Sequence, residues 1–234
     1  ASPRARSLPA MAVTSLGPTP LAAGDPRPLF ADPDLEAAFT RDGYVKVRLL
    51  PGDEVARLKR EFDRLHQQGG EGFVPDYLLA DPRLKAATDA VLRPVLTPVL
   101  DPLLERAELF MSSFLMKWPD PDSALGLHRD WTYVDERRFR TAVAWIALDD
   151  ASDQLDNGPL RVLPGSHRIV PRWRGTHTED PFGEHQQLIL DHCLLEVPVE
   201  AGEAVIMDNR LLHCSHPNRS GRPRLAAATA VRPA

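Results

Sequence analysis

Cysteine is scarce in this sequence. The 234 residues contain only Cys193 and Cys214, which are separated by twenty residues and form no CxxC pair. A disulfide-stabilised domain or a thiolate metal site normally has more cysteines at characteristic spacings. We therefore expect a protein of a reducing compartment, and the cytoplasm is the simplest location.

Lysine and long apolar runs are also rare. The chain has four lysines, a formal net charge of -5 and a sequence pI near 5.9. Proteins that bind nucleic acid usually carry a basic excess, so we expect no nucleic-acid partner. No apolar stretch reaches the roughly 20 residues of a membrane-spanning helix, so we expect no membrane partner either.

The N-terminal segment lacks the apolar stretch of a signal peptide. We interpret residues 1–28 as a flexible arm, and Met11 as an alternative native start that would make residues 1–10 foreign. The length of the chain fits one domain, which we place at residues 29–234. No feature of the sequence predicts an oligomeric state.

Residues 29–107 show mainly helical patterns and are predicted to support the core. A short helix is indicated at 32–39 and a long amphipathic helix at 53–68, with a strand at 44–50 between them. A further helical stretch covers 81–104. There, Pro94, Pro98 and Pro102 are expected to break the helix into short pieces, because proline lacks the backbone N–H.

The pattern changes to short apolar or alternating runs after residue 107. Eight strands are predicted, at residues 108–117, 125–131, 139–149, 159–163, 186–199, 203–208, 211–215 and 224–232. Turn pairs such as Asn157-Gly158 and Pro164-Gly165 separate them, and residues 168–185 are predicted to form a long loop. We therefore predict a mainly β fold with flanking helices, built on a jelly-roll or cupin-like double-stranded β-helix at 108–232.

A candidate metal site begins at His128 and Asp130. Residues two apart on an extended strand project from the same face, so both side chains can reach one ion. His213 lies 85 residues further on and provides a second imidazole. Two histidines and one carboxylate can occupy one face of an Fe(II) octahedron, which leaves three positions for other ligands.

The order of short motifs resembles the phytanoyl-CoA dioxygenase family over about residues 108–232. The matching pieces are His128-Arg129-Asp130, Asn157-Gly158, Pro164-Gly165-Ser166-His167, Gly202-Glu203, His213-Cys214-Ser215 and Arg224. The resemblance implies a double-stranded β-helix that holds Fe(II) through His128, Asp130 and His213. It also implies 2-oxoglutarate and O2 as cosubstrates.

The resemblance further implies which residues bind 2-oxoglutarate. Arg224 would clamp the carboxylate, for which its planar and permanently charged guanidinium is well suited. Arg222 competes for this role, but Arg224 has the spacing of the family. Ser215 and Trp145 would contact the same molecule, and Ser113 occupies a plausible cosubstrate-facing position on the preceding strand.

Several residues keep two interpretations. His216 is an alternative ligand to His213, although it falls on the opposite strand face, and His167 is better explained as a loop anchor than as a ligand. Trp131 and Tyr133 suit rim packing as well as substrate contact. Lys117 either contacts an anionic substrate or keeps an edge strand soluble.

These features predict an Fe(II)- and 2-oxoglutarate-dependent dioxygenase. It would hydroxylate an unactivated C–H bond of a small or carrier-tethered metabolite and release succinate and CO2. Asp130 fills the position that a halogenating relative leaves for chloride, whereas desaturation, epoxidation and ring closure stay open. The alternatives are a non-catalytic cupin-like binding protein and a Zn(II) hydrolase that uses the same three ligands.

Overall fold

The computed structural model describes residues 27–67, 69–169, 174 and 183–234. The helices are α1 (Pro33–Asp42), α2 (Gly52–Leu65), α3 (Pro82–Leu100) and α4 (Gln186–His192). The strands are β1 (Tyr44–Arg48), β2 (Phe73–Pro75), β3 (Ala107–Lys117), β4 (Leu125–His128), β5 (Ala142–Ala147), β6 (Leu160–Val162), β7 (Leu195–Val197), β8 (Glu203–Asp208), β9 (His213–Ser215) and β10 (Arg224–Pro233). The arm expected at 1–28 and the loop expected at 168–185 lie largely outside the described residues.

The strands of the described chain form two antiparallel sheets. The larger sheet has the order β1-β8-β5-β10-β3-β2, and the smaller has the order β4-β9-β6-β7. From β3 to β10, successive strands mostly alternate between the two sheets, which is the arrangement of a jelly roll. The predicted fold, mainly β with flanking helices, is confirmed.

The alternation of side chains along the larger sheet divides the core into two layers. On one face, Phe114 and Ile146 pack with Leu58 of α2 and Leu96 of α3. On the opposite face, residues such as Trp145 belong to a second cluster between the two sheets. Because successive strand residues point to opposite faces, one strand supplies both layers. Helices α1, α2 and α3 thus cover the outside of the sheet and leave its inner face for the site.

The expectation that prolines break the third helix was wrong. Helix α3 continues through Pro94 and Pro98 to Leu100. An internal proline costs about 3 kcal/mol, but each fully buried Leu or Val contributes about 1.5–3 kcal/mol. Leu92, Val95, Leu96 and Leu100 are all buried on one face of this helix. Their packing against the sheet offsets the lost backbone hydrogen bonds.

Several predicted strands were too long, and two of them ended in a different structure. Residues 186–199 begin with helix α4, and only Leu195–Val197 form a strand. A short apolar run has too few residues for its periodicity to distinguish a helix from a strand. In the helix, Gln187 donates a side-chain hydrogen bond of 2.9 Å to Asp191, one turn further on. The run at 125–131 also ends as a strand at His128, so Asp130 lies beyond β4.

The N-terminal region contributes strands as well as helices. Strand β1 pairs with β8, and β2 pairs with β3, at the two edges of the larger sheet. Among the described residues, no helix combines the length and the apolar character that crossing a membrane requires.

Candidate active site

His128, Asp130 and His213 converge on one point at the mouth of the jelly roll. His128 ends β4 and pairs in register with His213, which begins β9, so the two rings lie with their centroids 4.1 Å apart. Oδ1 of Asp130 is 3.9 Å from Nε2 of His128 and 4.0 Å from Nε2 of His213. One potential ligand atom from each residue lies within 4.8 Å of the others, which suits a shared ion.

The remaining ring nitrogens fix how both histidines point. Nδ1 of His128 donates to the carbonyl oxygen of Gly126 at 2.8 Å, and Nδ1 of His213 donates to that of Leu211 at 3.0 Å. This arrangement leaves Nε2 of each ring as an acceptor, as in metal-bound histidines generally. Burial, followed by the neighbouring His213, lowers the pKa of His128 to about 4. Its imidazole is therefore neutral at pH 7, so the donor set fits a divalent metal ion.

Two arginines hold the segment that carries Asp130. Nη2 of Arg129 donates to the carbonyl oxygen of Ile169 at 3.0 Å. Nη1 of Arg174 donates to the backbone oxygen of Asp130 at 2.8 Å, while its other end pairs with Glu136 at 2.7 Å. These bonds replace the strand pairing that ends at His128. They explain how the carboxylate keeps its place outside β4.

All seven residues predicted for the site line one cavity of about 220 Å³. They are His128, Asp130 and His213 together with Arg224, Ser215, Trp145 and Ser113. The cavity lies between the two sheets. Strands β3, β5 and β10 supply its inner wall, and β9 and the segment after β4 supply its mouth. The structure therefore brings together residues that are separated by more than 100 positions in sequence.

Arg224 lies buried in the cavity, with 3% of its surface exposed. Its guanidinium carbon is 5.3 Å from the ring centre of Trp145, and Nη1 donates to the carbonyl oxygen of Gly158. Nε has no partner among the described residues. Burial lowers the pKa of Arg224 to about 10, so the side chain stays charged at neutral pH. Arg222 is exposed and does not line the cavity.

Lys117 is a second buried cation beside Arg224. The two residues are register partners on β3 and β10, and Lys117 is fully buried. Nζ donates to Oγ of Ser215 at 2.7 Å and to the backbone oxygens of Ser123 and His216 at 2.8 and 2.7 Å. Burial, and then the charge of Arg224, lower the pKa of Lys117 to about 7. Like charges directly opposite each other are destabilising, so this end of the cavity is suited to an anion.

The interpretation of Lys117 as an edge-strand solubiliser is excluded by its burial. Strand β3 lies inside the larger sheet, between β10 and β2. No local sequence signal separates a buried lysine from an edge-strand lysine at this position, because the partners of β3 in the sheet are distant in sequence.

Ser113 and His167 have structural partners, and His216 lies away from the site. Oγ of Ser113 donates to the backbone oxygen of Phe114 at 2.8 Å and accepts from the backbone N–H of Tyr77 at 3.3 Å. His167 is buried and its Nε2 donates to the carbonyl oxygen of Thr40 at 3.1 Å, which fits the loop-anchoring interpretation. His216 is exposed and lies outside the cluster of potential ligands.

The segment between β4 and β5 and the turn after β2 form the outer part of the cavity. Trp131 and Tyr133 stand at its mouth and are each 38% exposed. Tyr77 approaches Trp131 edge to face, with 6.0 Å between ring centres. Burial, followed by the charge of Asp130, raises the pKa of Tyr77 and raises that of Tyr133 to about 12. Both phenols therefore keep their protons at neutral pH.

Comparison with known families agrees with this geometry. The profile of the phytanoyl-CoA dioxygenase (PhyH) family matches residues 39–226. The chain belongs to this family. Members use Fe(II), 2-oxoglutarate and O2, and the resemblance noted from the motifs is confirmed.

Individual relatives of the PhyH chain are distant. It is 28% identical to phytanoyl-CoA dioxygenase domain-containing protein 1 of Danio rerio over 50% of the chain and 42% of that protein. It is 31% identical to 1-deoxypentalenic acid 11-beta-hydroxylase of Streptomyces exfoliatus over 49% of the chain and 43% of that enzyme. The matched part is thus less than half the length of these curated relatives.

Solved structures show the same fold. The carbocyclase SnoK from nogalamycin biosynthesis, a non-heme alpha-ketoglutarate-dependent enzyme, superposes with a TM-score of 0.61 at 20% identity. The superposition covers 93% of this chain and 87% of SnoK. At this identity the likeness establishes the shared jelly-roll fold of the PhyH chain.

Proposed function

We propose that this chain is an Fe(II)- and 2-oxoglutarate-dependent dioxygenase that hydroxylates a C–H bond of a small or carrier-tethered metabolite. The observation that carries the proposal is the convergence of His128, Asp130 and His213, whose ligand atoms lie within 4.8 Å of one another in a cavity that also contains Arg224. The hydroxylase among the relatives supports the reaction type.

His128, Asp130 and His213 would hold the metal by one face. Both imidazoles present Nε2 and the carboxylate offers Oδ1, so these three atoms would be the ligands of a divalent ion. When bound, Fe(II) supplies the oxidative chemistry in which 2-oxoglutarate and O2 become succinate and CO2 and one oxygen atom is transferred to the substrate. The protein supplies ligation, orientation and exclusion of water.

Arg224 and Ser215 would bind the distal carboxylate of 2-oxoglutarate, and Lys117 would act through its charge and through its hydrogen bond to Ser215. Arg224 lines the cavity with an unpaired Nε, and the ammonium of Lys117, buried directly across the strand pair, adds positive charge behind it. Lys117 donates to Oγ of Ser215, which leaves the hydroxyl hydrogen of Ser215 for the carboxylate. Charge-assisted bonds of this kind are among the strongest that proteins form.

Trp145 and Ser113 would shape the pocket rather than bond to 2-oxoglutarate. The ring of Trp145 lies beside the Arg224 guanidinium and restrains its position. The hydroxyl of Ser113 already donates to Phe114 and receives the backbone N–H of Tyr77. Its role is then to tie the inner strand β3 to the turn that carries Tyr77.

Oxygen consumption and succinate formation test the proposal together. Protein loaded with Fe(II) is supplied with 2-oxoglutarate, ascorbate and O2, and both quantities are followed with candidate substrates. We expect one succinate for each O2 consumed, with a substrate-dependent increase in rate. A protein that forms no succinate with any metal or substrate is a binding protein, and one that hydrolyses esters or amides only with Zn(II) is a hydrolase. Either outcome contradicts the proposal.

A further inference from the structure

The substrate side of the cavity is apolar and aromatic. Five residues, which we call the rim, surround its opening: Tyr77, Leu78, Met111, Trp131 and Tyr133. Leu78 is 63% exposed, and Met111, Trp131 and Tyr133 are each more than a third exposed. Exposed aromatic and thioether side chains grouped at a cavity mouth are typical of a ligand-binding surface.

Met111 reaches the rim because of a β-bulge. Ser112 and Phe110 of β3 pair with consecutive residues of β10. Met111 lies between them and has no partner in the ladder. Its backbone is left-handed, with φ +54°, which is unfavourable for a residue with a side chain. Bulges next to active sites commonly re-aim a side chain. The strain at Met111 is thus associated with its position in the cavity wall.

Few cationic side chains line the cavity in the part of the chain that the structure describes. Among its described lining residues other than the histidines, only Arg129 and Arg224 are cationic. Arg129 donates to the backbone oxygen of Ile169, and Arg224 lies at the buried end. Phosphates of a coenzyme A or phosphopantetheine carrier require cations or helix N-termini for recognition. The rim offers neither, and Asp130 adds negative charge.

The rim does offer neutral hydrogen-bond donors. The hydroxyl groups of Tyr77 and Tyr133 have no hydrogen-bond partner among the described residues, although both side chains line the cavity. A neutral phenol donates well to a carbonyl or hydroxyl oxygen. A ligand that packs its ring on Trp131 and Met111 can place such an oxygen within reach of the tyrosines.

We propose that the substrate is a free, uncharged ring compound that carries a carbonyl or hydroxyl oxygen, rather than a phosphate-bearing carrier thioester. This inference rests on the proposed function for the identity of the site as catalytic. It assigns Met111, Trp131 and Tyr133 as specificity-determining residues. Met111 and Trp131 contact the ring face, and Tyr133 donates to the oxygen.

Ligand binding without turnover tests the proposal. Protein with Fe(II) and 2-oxoglutarate is titrated anaerobically with 2-acetylnaphthalene, with 2-naphthoate and with hexanoyl-coenzyme A, and binding is followed by calorimetry. We expect the neutral ketone to bind at least tenfold more tightly than the carboxylate of the same ring system, and hexanoyl-coenzyme A not to compete. Tighter binding of either anion, or no binding of the ketone, overturns the proposal.

Variants locate the binding surface. Trp131→Ala and Met111→Ala should each weaken 2-acetylnaphthalene binding by fivefold or more, whereas Trp131→Phe should retain most of it. Tyr133→Phe should reduce the preference for the ketone over 2-ethylnaphthalene, which lacks the oxygen. Leu188→Ala is the control, because Leu188 is 57% exposed on α4 and does not line the cavity. Equal affinities in all variants contradict the assignment.

The two proposals fail in distinguishable ways. The same titration with the metal-free protein measures the rim alone, since none of the five rim residues belongs to the candidate ligand cluster. Loss of succinate formation with intact ketone binding would contradict the proposed function only. Normal succinate formation with a preference for hexanoyl-coenzyme A would contradict the substrate class only.

Discussion

Nζ of Lys117 lies 2.7 Å from Oγ of Ser215, which lines the cavity, and Lys117 is directly across the β3/β10 pair from Arg224. Two neighbouring cations at full burial are unfavourable without an anion. In the proposed function, a carboxylate of 2-oxoglutarate would supply the compensating negative charge.

The affinity for 2-oxoglutarate should fall as pH rises from 6 to 8. The pKa of Lys117 is lowered to about 7, so the ammonium is present below that value and lost above it. The carboxylates of 2-oxoglutarate stay ionised throughout this range. The bound anion raises the pKa of Lys117, so the loss of its charge in the complex shifts to higher pH. Calorimetric titration of Fe(II)-loaded protein measures the trend. Lys117→Met should bind about tenfold more weakly, with a flat profile. Exposed Lys85→Met should behave as wild type, and a pH trend that survives in Lys117→Met would refute the explanation.

Arg224→Ala should raise the KM for 2-oxoglutarate without removing the metal. Loss of a hydrogen bond to a charged group costs about 1.5–3 kcal/mol, which corresponds to roughly 10- to 150-fold in affinity. Arg222→Ala is a matched control, because Arg222 is exposed two residues away. Steady-state succinate formation and iron content check both variants. Equal KM values in the two would show that Arg224 does not bind the cosubstrate.

Gly158→Ala should destabilise the protein more than Gly221→Ala. Both glycines have left-handed backbones, with φ +70° and +75°, where an L residue costs about 1–2 kcal/mol. Only at Gly158 would the added Cβ also collide with the backbone oxygen of His216 and approach Cδ of Lys117 to 2.8 Å, whereas space around Gly221 is open. Urea unfolding of the two variants gives the comparison. Equal losses would mean that the collision is relieved by small shifts.

Thr88→Val should lower the free energy of unfolding by about 1–3 kcal/mol. Oγ1 of Thr88 donates to Oδ2 of Asp76 at 2.8 Å, and His66 holds the other carboxylate oxygen at 2.8 Å. Both Thr88 and Asp76 are buried, and Asp76 begins the turn that carries Tyr77 of the rim. Thr88→Ser keeps the donor and should recover most of the loss in urea unfolding. A Val variant as stable as Ser would show that the hydrogen bond contributes nothing.

The sequence predicted the jelly roll because its strands alternate apolar and polar residues and are separated by turn pairs. His128, Asp130 and His213 were identified by the resemblance of the ordered motifs to the phytanoyl-CoA dioxygenase family. Lys117 could not be assigned, because whether β3 lies inside a sheet or at its edge depends on pairing with β10 and β2, which the strand itself does not encode.

The other differences also arise from tertiary structure. The prolines of α3 are tolerated because one face of the helix is buried against the sheet. The bulge at Met111 appears only when β3 pairs with β10. Asp130 keeps its place through Arg174, which is distant in sequence. Local propensity carries no information on any of these contacts.

Anaerobic titration with Fe(II) and then with 2-oxoglutarate tests the central claim most directly. We predict that wild-type protein binds one Fe(II) per chain and develops a weak visible charge-transfer band when 2-oxoglutarate is added. His128→Ala and His213→Ala should lose both, while His216→Ala, which alters an exposed histidine outside the cluster, should keep both. An unchanged band in His128→Ala and His213→Ala, or no iron binding in the wild-type protein, would contradict the claim that these side chains share one ferrous ion.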